Sequence, residues 1–241
     1  MTRIPRPALR SSLTRRATLR AIATGSVLVT STVVLSACGA GRDTFVGGSA
    51  PATPTPRTPA PGTMVMIIRH GEKPDDSHKG IGPDGKKDKA SLTEQGYARA
   101  ARLADLFGPT QGPLRPGLRR PTQLYAADAT TEGEGKRTRE TITPLATRLG
   151  LPVNTSFGKG QEDALVASVL SQPGPTLICW QHGEIPAIAA AFGRAVPAPP
   201  GHWPGHRFDM VWTLTSSPAG WSFAQVPELI MPGDKADPIG D

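Results

Sequence analysis

Two short, unbroken apolar runs leave little choice of architecture. Met64-Val65-Met66-Ile67-Ile68 and Thr176-Leu177-Ile178-Cys179-Trp180 are too short for core helices and show no in–out alternation. Such runs suit strands covered on both faces, the environment of a parallel sheet. Weaker strand signals follow at 123–127 and 151–157. Helical patterns fill 91–107, capped by Thr93 or Ser91, then 140–149 closed by Gly150, 161–170 and 186–192. Residues 208–213 and 222–226 flank Ser216-Ser217-Pro218-Ala219-Gly220 as a hairpin. Strands alternating with helices predict an α/β domain over 63–241, with a parallel sheet and helices on both faces.

The 241 residues carry 27 Lys and Arg against 20 Asp and Glu, a net charge of +7. A basic chain ordinarily suggests nucleic acid or an anionic membrane as partner. Here the charge is not spread evenly. Residues 1–38 hold Arg3, Arg6, Arg10, Arg15, Arg16 and Arg20 and no acid, so six of the seven net charges lie there. A mildly apolar run over 21–37 completes the pattern of an export signal. Its small and hydroxylated residues make it a poor permanent span. Thr14-Arg15-Arg16-Ala17-Thr18-Leu19-Arg20 resembles a bacterial twin-arginine motif. Leu35-Ser36-Ala37-Cys38 resembles a lipobox, in which the cysteine is acylated. The expectation is an exported protein held on the outer face of the cell membrane by a lipid on Cys38.

Residues 39–62 read as a tether, since 19 of these 24 are Gly, Pro, Ala, Thr or Ser. They cannot bury enough apolar surface to offset their ordering entropy, and fully extended they would reach about 70 Å. The remaining domain is nearly neutral, with 21 basic and 20 acidic residues after Cys38. It has no aromatic-and-basic stripe suited to nucleic acid. Two cysteines exclude a disulfide framework, and no spacing resembles a zinc motif.

In an open parallel sheet, ligands gather outside the carboxyl ends of the strands. The first apolar run leads into Arg69-His70-Gly71-Glu72, and the run at 176–180 into Gln181-His182-Gly183-Glu184. Strand 123–127 precedes a loop holding Lys136, Arg137 and Arg139. Two histidines and up to three arginines then face one crevice. That set suits a tetrahedral anion, because guanidinium offers a permanent charge and a fork of donors matched to phosphate oxygens. A neutral imidazole can attack phosphorus to give a covalent intermediate. Gly71, without a Cβ, permits close approach.

With these pieces the chain resembles the histidine phosphatase superfamily, also called phosphoglycerate mutase-like. The matching segments are Ile67-Ile68-Arg69-His70-Gly71-Glu72, Leu92-Thr93-Glu94-Gln95-Gly96, Arg137-Thr138-Arg139-Glu140-Thr141 and Trp180-Gln181-His182-Gly183. The resemblance implies a three-layer α/β/α fold with a mostly parallel central sheet. It implies a metal-independent phosphatase acting on a small phosphorylated substrate, without a cofactor. His70 would become phosphohistidine, while Arg69, Arg137 and His182 hold the phosphoryl group. Arg137 is preferred to Arg139 because the family's pocket arginine stands three residues before a Gln or Glu that precedes Thr.

Ester cleavage also needs a proton for the leaving oxygen, unless that group is already stable. Glu162 lies about where one branch of the superfamily carries its acid, and it is the first choice. Asp163, Glu184, Asp128 and Glu72 are the others. His202, His206, Phe208 and Asp209 are candidates for the substrate side of the crevice. The leading expectation is an extracytoplasmic phosphatase. Its rivals are a non-catalytic anion-binding lipoprotein with the same pocket, a protein-phosphohistidine phosphatase and a phosphoglycerate mutase-like phosphotransferase.

Overall fold

The computed structural model describes residues 59–129 and 134–240. The expected leader, the lipid site at Cys38 and the tether up to residue 58 lie outside the described residues. Hydrogen bonding to the domain begins slightly before residue 63. Gly62 N–H donates to Ser216 O at 2.9 Å, and Ser216 Oγ donates to Ala60 O at 2.6 Å.

Strand β1, Met64–Arg69, is buried at all six positions. Val65 and Ile67 join one hydrophobic cluster, whereas Met64, Met66 and Ile68 join the other. This two-faced burial is what the unbroken apolar run requires. Each large apolar side chain so buried contributes about 1.5–3 kcal/mol. Strand β2, Gln123–Ala126, β3, Val153–Asn154, and β4, Thr176–Trp180, run parallel to β1. Strand β5 is Ala195–Val196, and β6, Met210–Ser217, turns directly into β7, Gly220–Pro227. The sheet order is β3-β2-β4-β1-β6-β7-β5. Only β6 runs against the rest, so the sheet is mostly parallel.

Helices α1, Glu94–Phe107, and α2, Glu134–Leu149, cover one face, with Leu103, Phe107, Ile142 and Leu145 meeting Met66, Ile68 and Leu177. Helices α3, Glu162–Ser171, and α4, Ile185–Ala191, cover the other, with Leu165, Val169, Ile185 and Ile188 meeting Ile67, Ile178 and Trp212. The result is the expected three-layer α/β/α arrangement.

Three element readings change. Helix α2 starts at Glu134 rather than 140, so Lys136, Arg137 and Arg139 sit on a helix and not in a loop. The segment Glu134-Gly135-Lys136-Arg137-Thr138-Arg139 has no apolar periodicity to announce a helix. It is tied down by Thr138, whose Oγ1 accepts the Ala127 N–H at 3.1 Å and donates to Gly135 O at 2.8 Å. Strand β3 shrinks from the expected seven residues to the two that find a partner on β2. Short β5 carried no sequence signal and pairs with β7 at the sheet edge.

Candidate active site

Strands β1 and β4 are hydrogen-bonded neighbours with Arg69 opposite Trp180. The pairing continues one residue further, because His70 N–H donates to Trp180 O at 3.0 Å. The chain after each strand therefore delivers a histidine to the same edge of the sheet. His70 is 3% exposed. Its Nδ1 donates to Gly71 O at 2.7 Å; a carbonyl only accepts, so the proton sits on Nδ1 and the lone pair on Nε2. Burial first, then the Arg69 charge, hold its pKa well below the ordinary 6.5. Arg137 and His182 push the same way, while the Gly71 carbonyl opposes them. His70 is a neutral imidazole at neutral pH.

Arg69 has no exposed surface. Its Nη1 donates to Gly205 O at 2.7 Å and to Arg207 O at 3.0 Å. Phe208 covers the guanidinium, with Cζ 3.7 Å from the ring centroid, and meets His70 edge-on at 6.2 Å. A cation over an aromatic face is favourable and held in orientation. Arg137 is buried on α2, its Nη1 donating to Lys89 O at 3.4 Å and Ala90 O at 3.5 Å. Arg139 is exposed and lines a surface groove with Thr143 and Gly150. The fold thus brings Arg137, and not Arg139, to His70.

His182 is half-buried, with a pKa lowered to about 4. Burial is the main cause, followed by the charges of Arg69 and Lys73. Glu184 opposes the shift. Gly205 lies beside this ring, where a Cβ would stand 3.5 Å from Nε2, an ordinary contact distance. Arg69, His70, Arg137 and His182 therefore share one electrostatic site.

The quoted sequence segments are interlocked by bonds that sequence reasoning did not foresee. Gly71 N–H donates to Thr141 Oγ1 at 2.8 Å, and that hydroxyl donates to Arg137 O at 2.7 Å. Glu140 accepts from Ser91 Oγ and from Leu92 N–H, each at 2.9 Å. Thr93 caps α1 by accepting the Gly96 N–H at 3.2 Å. The same Ser91 hydroxyl, whose one proton the two carboxylates share, lies 2.9 Å from Asp88, which pairs with Lys136. Helix α2 is thereby fastened to the loops that carry Gly71 and Leu92.

The five carboxylates named as acids separate. Glu162 turns back on its own helix start, its Oε1 accepting the Gly160 N–H at 3.0 Å. It is not among the charges that act most on either histidine. Asp163 is exposed on α3. Glu72 is bound to Arg99, with Oε1 2.9 Å from Nη2. Asp128 is half-buried after β2, its N–H donating to Phe157 O at 2.8 Å. Glu184 is the one whose charge acts on His182; Oε1 pairs with Lys159 Nζ at 2.9 Å, and Oε2 is buried without a hydrogen bond.

Beside the four-residue site lies a cavity of about 340 Å3 walled by Gly205, Phe208, Thr93, Gln95, Lys73 and His206. His206 and Phe208 were expected on this side. Asp209 is instead buried in a structural pair with Arg207, at 2.7 Å. His202 is exposed, and its charge acts on His182. Lys73 went unremarked, although it directly follows Arg69-His70-Gly71-Glu72. Among the described residues, no cluster of three or more His, Cys, Asp or Glu side chains is arranged to hold a metal. Cys179 is fully buried, and burial pushes its thiol well above the ordinary range.

No protein-family model matches the chain, and no curated protein matches it. Solved structures do show similarity. A mycobacterial glucosyl-3-phosphoglycerate phosphatase is 15% identical, with 69% of this chain and 98% of that chain covered and a TM-score of 0.44. The protein histidine phosphatase SixA complexed with tungstate is 13% identical, with 69% and 97% covered and a TM-score of 0.44. The product of an open reading frame from Mycobacterium tuberculosis is 15% identical, with 70% and 98% covered and a TM-score of 0.42.

Proposed function

We propose that this chain is a phosphatase that hydrolyses a small phosphate monoester through a phosphohistidine on His70. The observation that carries the reading is the state of His70. It is buried and neutral, its proton is committed to Gly71 O so that the lone pair lies on Nε2, and the charges of Arg69, Arg137 and His182 act on its ring.

Attack of Nε2 on phosphorus forms the N–P bond as the ester P–O bond breaks. The leaving oxygen takes a proton and departs as the alcohol. The ring, now phosphorylated on Nε2 and protonated on Nδ1, carries positive charge that Gly71 O stabilises. Arg69 and Arg137 offset the charge that builds on the equatorial oxygens, and neutral His182 donates one hydrogen bond. Water then attacks phosphorus and gives a proton back to the carboxylate that supplied the first, the P–N bond breaks, and phosphate leaves with His70 and the acid restored. We assign the proton to Glu184 in preference to Glu162, because Glu184 acts on His182 and, with Oε1 paired to Lys159, keeps a buried Oε2 without a hydrogen bond, whereas Glu162 turns back to Gly160 on its own helix start.

The proposal extends to location. An arginine-rich, acid-free leader before Leu35-Ser36-Ala37-Cys38 supports export and lipid anchoring. Cys38→Ala should release the protein from membranes, and continued membrane association would contradict anchoring. The catalytic reading is tested by quenching turnover of a radiolabelled phosphate ester in alkali, which preserves phosphohistidine. Wild type should retain label on protein. Label that persists in His70→Ala would overturn the reading.

A further inference from the structure

The cavity beside the phosphoryl site shares its walls with that site. Phe208 touches both Arg69, at 3.7 Å, and His70, at 6.2 Å. Gly205 accepts from Arg69 at 2.7 Å and packs on His182. Phe208 and Gly205 thus border both the phosphoryl site and the cavity, which puts the cavity within reach of a group esterified to a phosphate bound there. Its volume of about 340 Å3 is at the small end of ligand pockets, which suits a compact leaving group.

The charges along this cavity do not balance. Glu72 is taken up by Arg99. Asp75 accepts the N–H groups of Ser77 and His78, at 2.8 and 2.6 Å, and pairs with the His78 ring. Lys73 has no ion-pair partner among the described residues, and its charge reaches as far as His182. Thr93, Gln95 and His206 add polar groups without negative charge. Glu72 and Asp75 keep their charge but are hydrogen-bonded to Arg99 and to the Ser77–His78 turn, so Lys73 is the lining cation without an ion-pair partner among the described residues.

We propose that Lys73 makes this cavity selective for a leaving alcohol that bears a second anionic group, a carboxylate or a phosphate. The inference rests on the phosphoryl site assigned above. It concerns the far end of the substrate, not the reacting phosphate. Lys73 is exposed, so its effect is that of a solvent-screened charge pair, about fivefold in kcat/KM and smaller at high salt.

Three probes test it, all two-carbon phosphates that differ only at the far end: 2-hydroxyethyl phosphate, phosphoglycolate and ethane-1,2-diyl bisphosphate. Turnover and calorimetric affinity are measured for each with the full chain. Wild type should favour either anionic probe, or both, over the hydroxyl probe by about fivefold, chiefly through KM. The two anionic arms tell carboxylate from phosphate. Lys73→Gln should bring the ratio to about one, whereas Lys79→Gln, an exposed lysine that does not line this cavity, should leave it in place. Equal use of the three probes by wild type, or a ratio that survives Lys73→Gln, overturns the proposal. So does an equal collapse in Lys79→Gln, which would mean a diffuse field. If wild type turns over none of them, the phosphatase reading falls, and the order of affinities alone decides for or against Lys73.

Discussion

Gly71 and Gly96 meet backbone to backbone: a Cβ on Gly71 would stand 2.8 Å from Gly96 O, and one on Gly96 would stand 2.6 Å from Glu72 O. The end of β1 and the first turn of α1 touch here with no side chain between them. This contact places His70 relative to the capped start of the helix.

Gly71→Ala should therefore cost stability as overpacking against backbone, about 1–3 kcal/mol, and lower activity as well. Gly85→Ala is a poor control because Gly85 has φ +77°, so Gly183→Ala, which meets nothing within 4 Å, serves better. Urea unfolding reads the difference. Equal midpoints for the Gly71 and Gly183 variants would refute the close-contact argument.

Thr141 acts through a single acceptor. In Thr141→Val the volume is kept, but the buried Gly71 N–H loses its partner, at a cost of about 1–3 kcal/mol. Thr141→Ser restores the oxygen and should recover most of the loss. Should serine prove no better than valine, the hydroxyl is not what holds Gly71.

The two site histidines should titrate far from the ordinary value. Ring-carbon NMR of the ligand-free protein should show His182 protonating near pH 4 and His70 well below 6.5. The nucleophile then stays neutral into the acid range. A His182 midpoint at 6.5 would mean that burial and the Arg69 charge do not act as the geometry says.

Arg99 is buried among Glu72, Glu228 and Asp234, at 2.9, 2.7 and 2.7 Å. Burial pushes the Glu228 carboxyl up to about 8 against the pull of Arg99. With its folded pKa above the ordinary 4.5, the native state holds a proton that the unfolded chain releases. Its contribution is full below about pH 4.5 and is lost as pH rises towards 8. Between about pH 4 and 6.5 the lowered pKa values of His182 and His70 oppose this, so the melting temperature should fall above about pH 6.5, towards 8, and Glu228→Gln should flatten that slope. An unchanged slope in the variant would exclude Glu228 as its source.

The proton donor is separable by leaving group. Glu184→Gln should lower kcat for an alkyl phosphate by about 100-fold, and for p-nitrophenyl phosphate far less, because nitrophenolate needs no proton. Glu162→Gln should show no such split. A split in Glu162→Gln alone would return the role to the residue that sequence reasoning favoured.

Much of this was legible before any coordinates. Burial on both faces follows from the unbroken apolar runs at 64–68 and 176–180, because a half-exposed strand would alternate. Each run is followed two residues on by a histidine, His70 and His182, so a shared edge was implied once the strands were parallel neighbours. Arg139 and Arg137 are a different matter. Two residues apart on a helix, they point roughly 200° away from each other. Only the packing of α2 on α1 and β4 decides which faces His70. The same holds for the acids, since a carboxylate's partner is a matter of distance in space. Arg99 takes Glu72 from 27 positions away, and Lys159 takes Glu184 across a gap between two loops.

Sequence by itself determined the two central strands and the residue types that follow them, because hydrophobic period and covalent neighbourhood are local properties. Tertiary structure decided which arginine enters, which carboxylates are engaged and which lysine is left at the cavity. Those depend on desolvation and on charges brought within a few ångströms by the fold, and no local pattern encodes them.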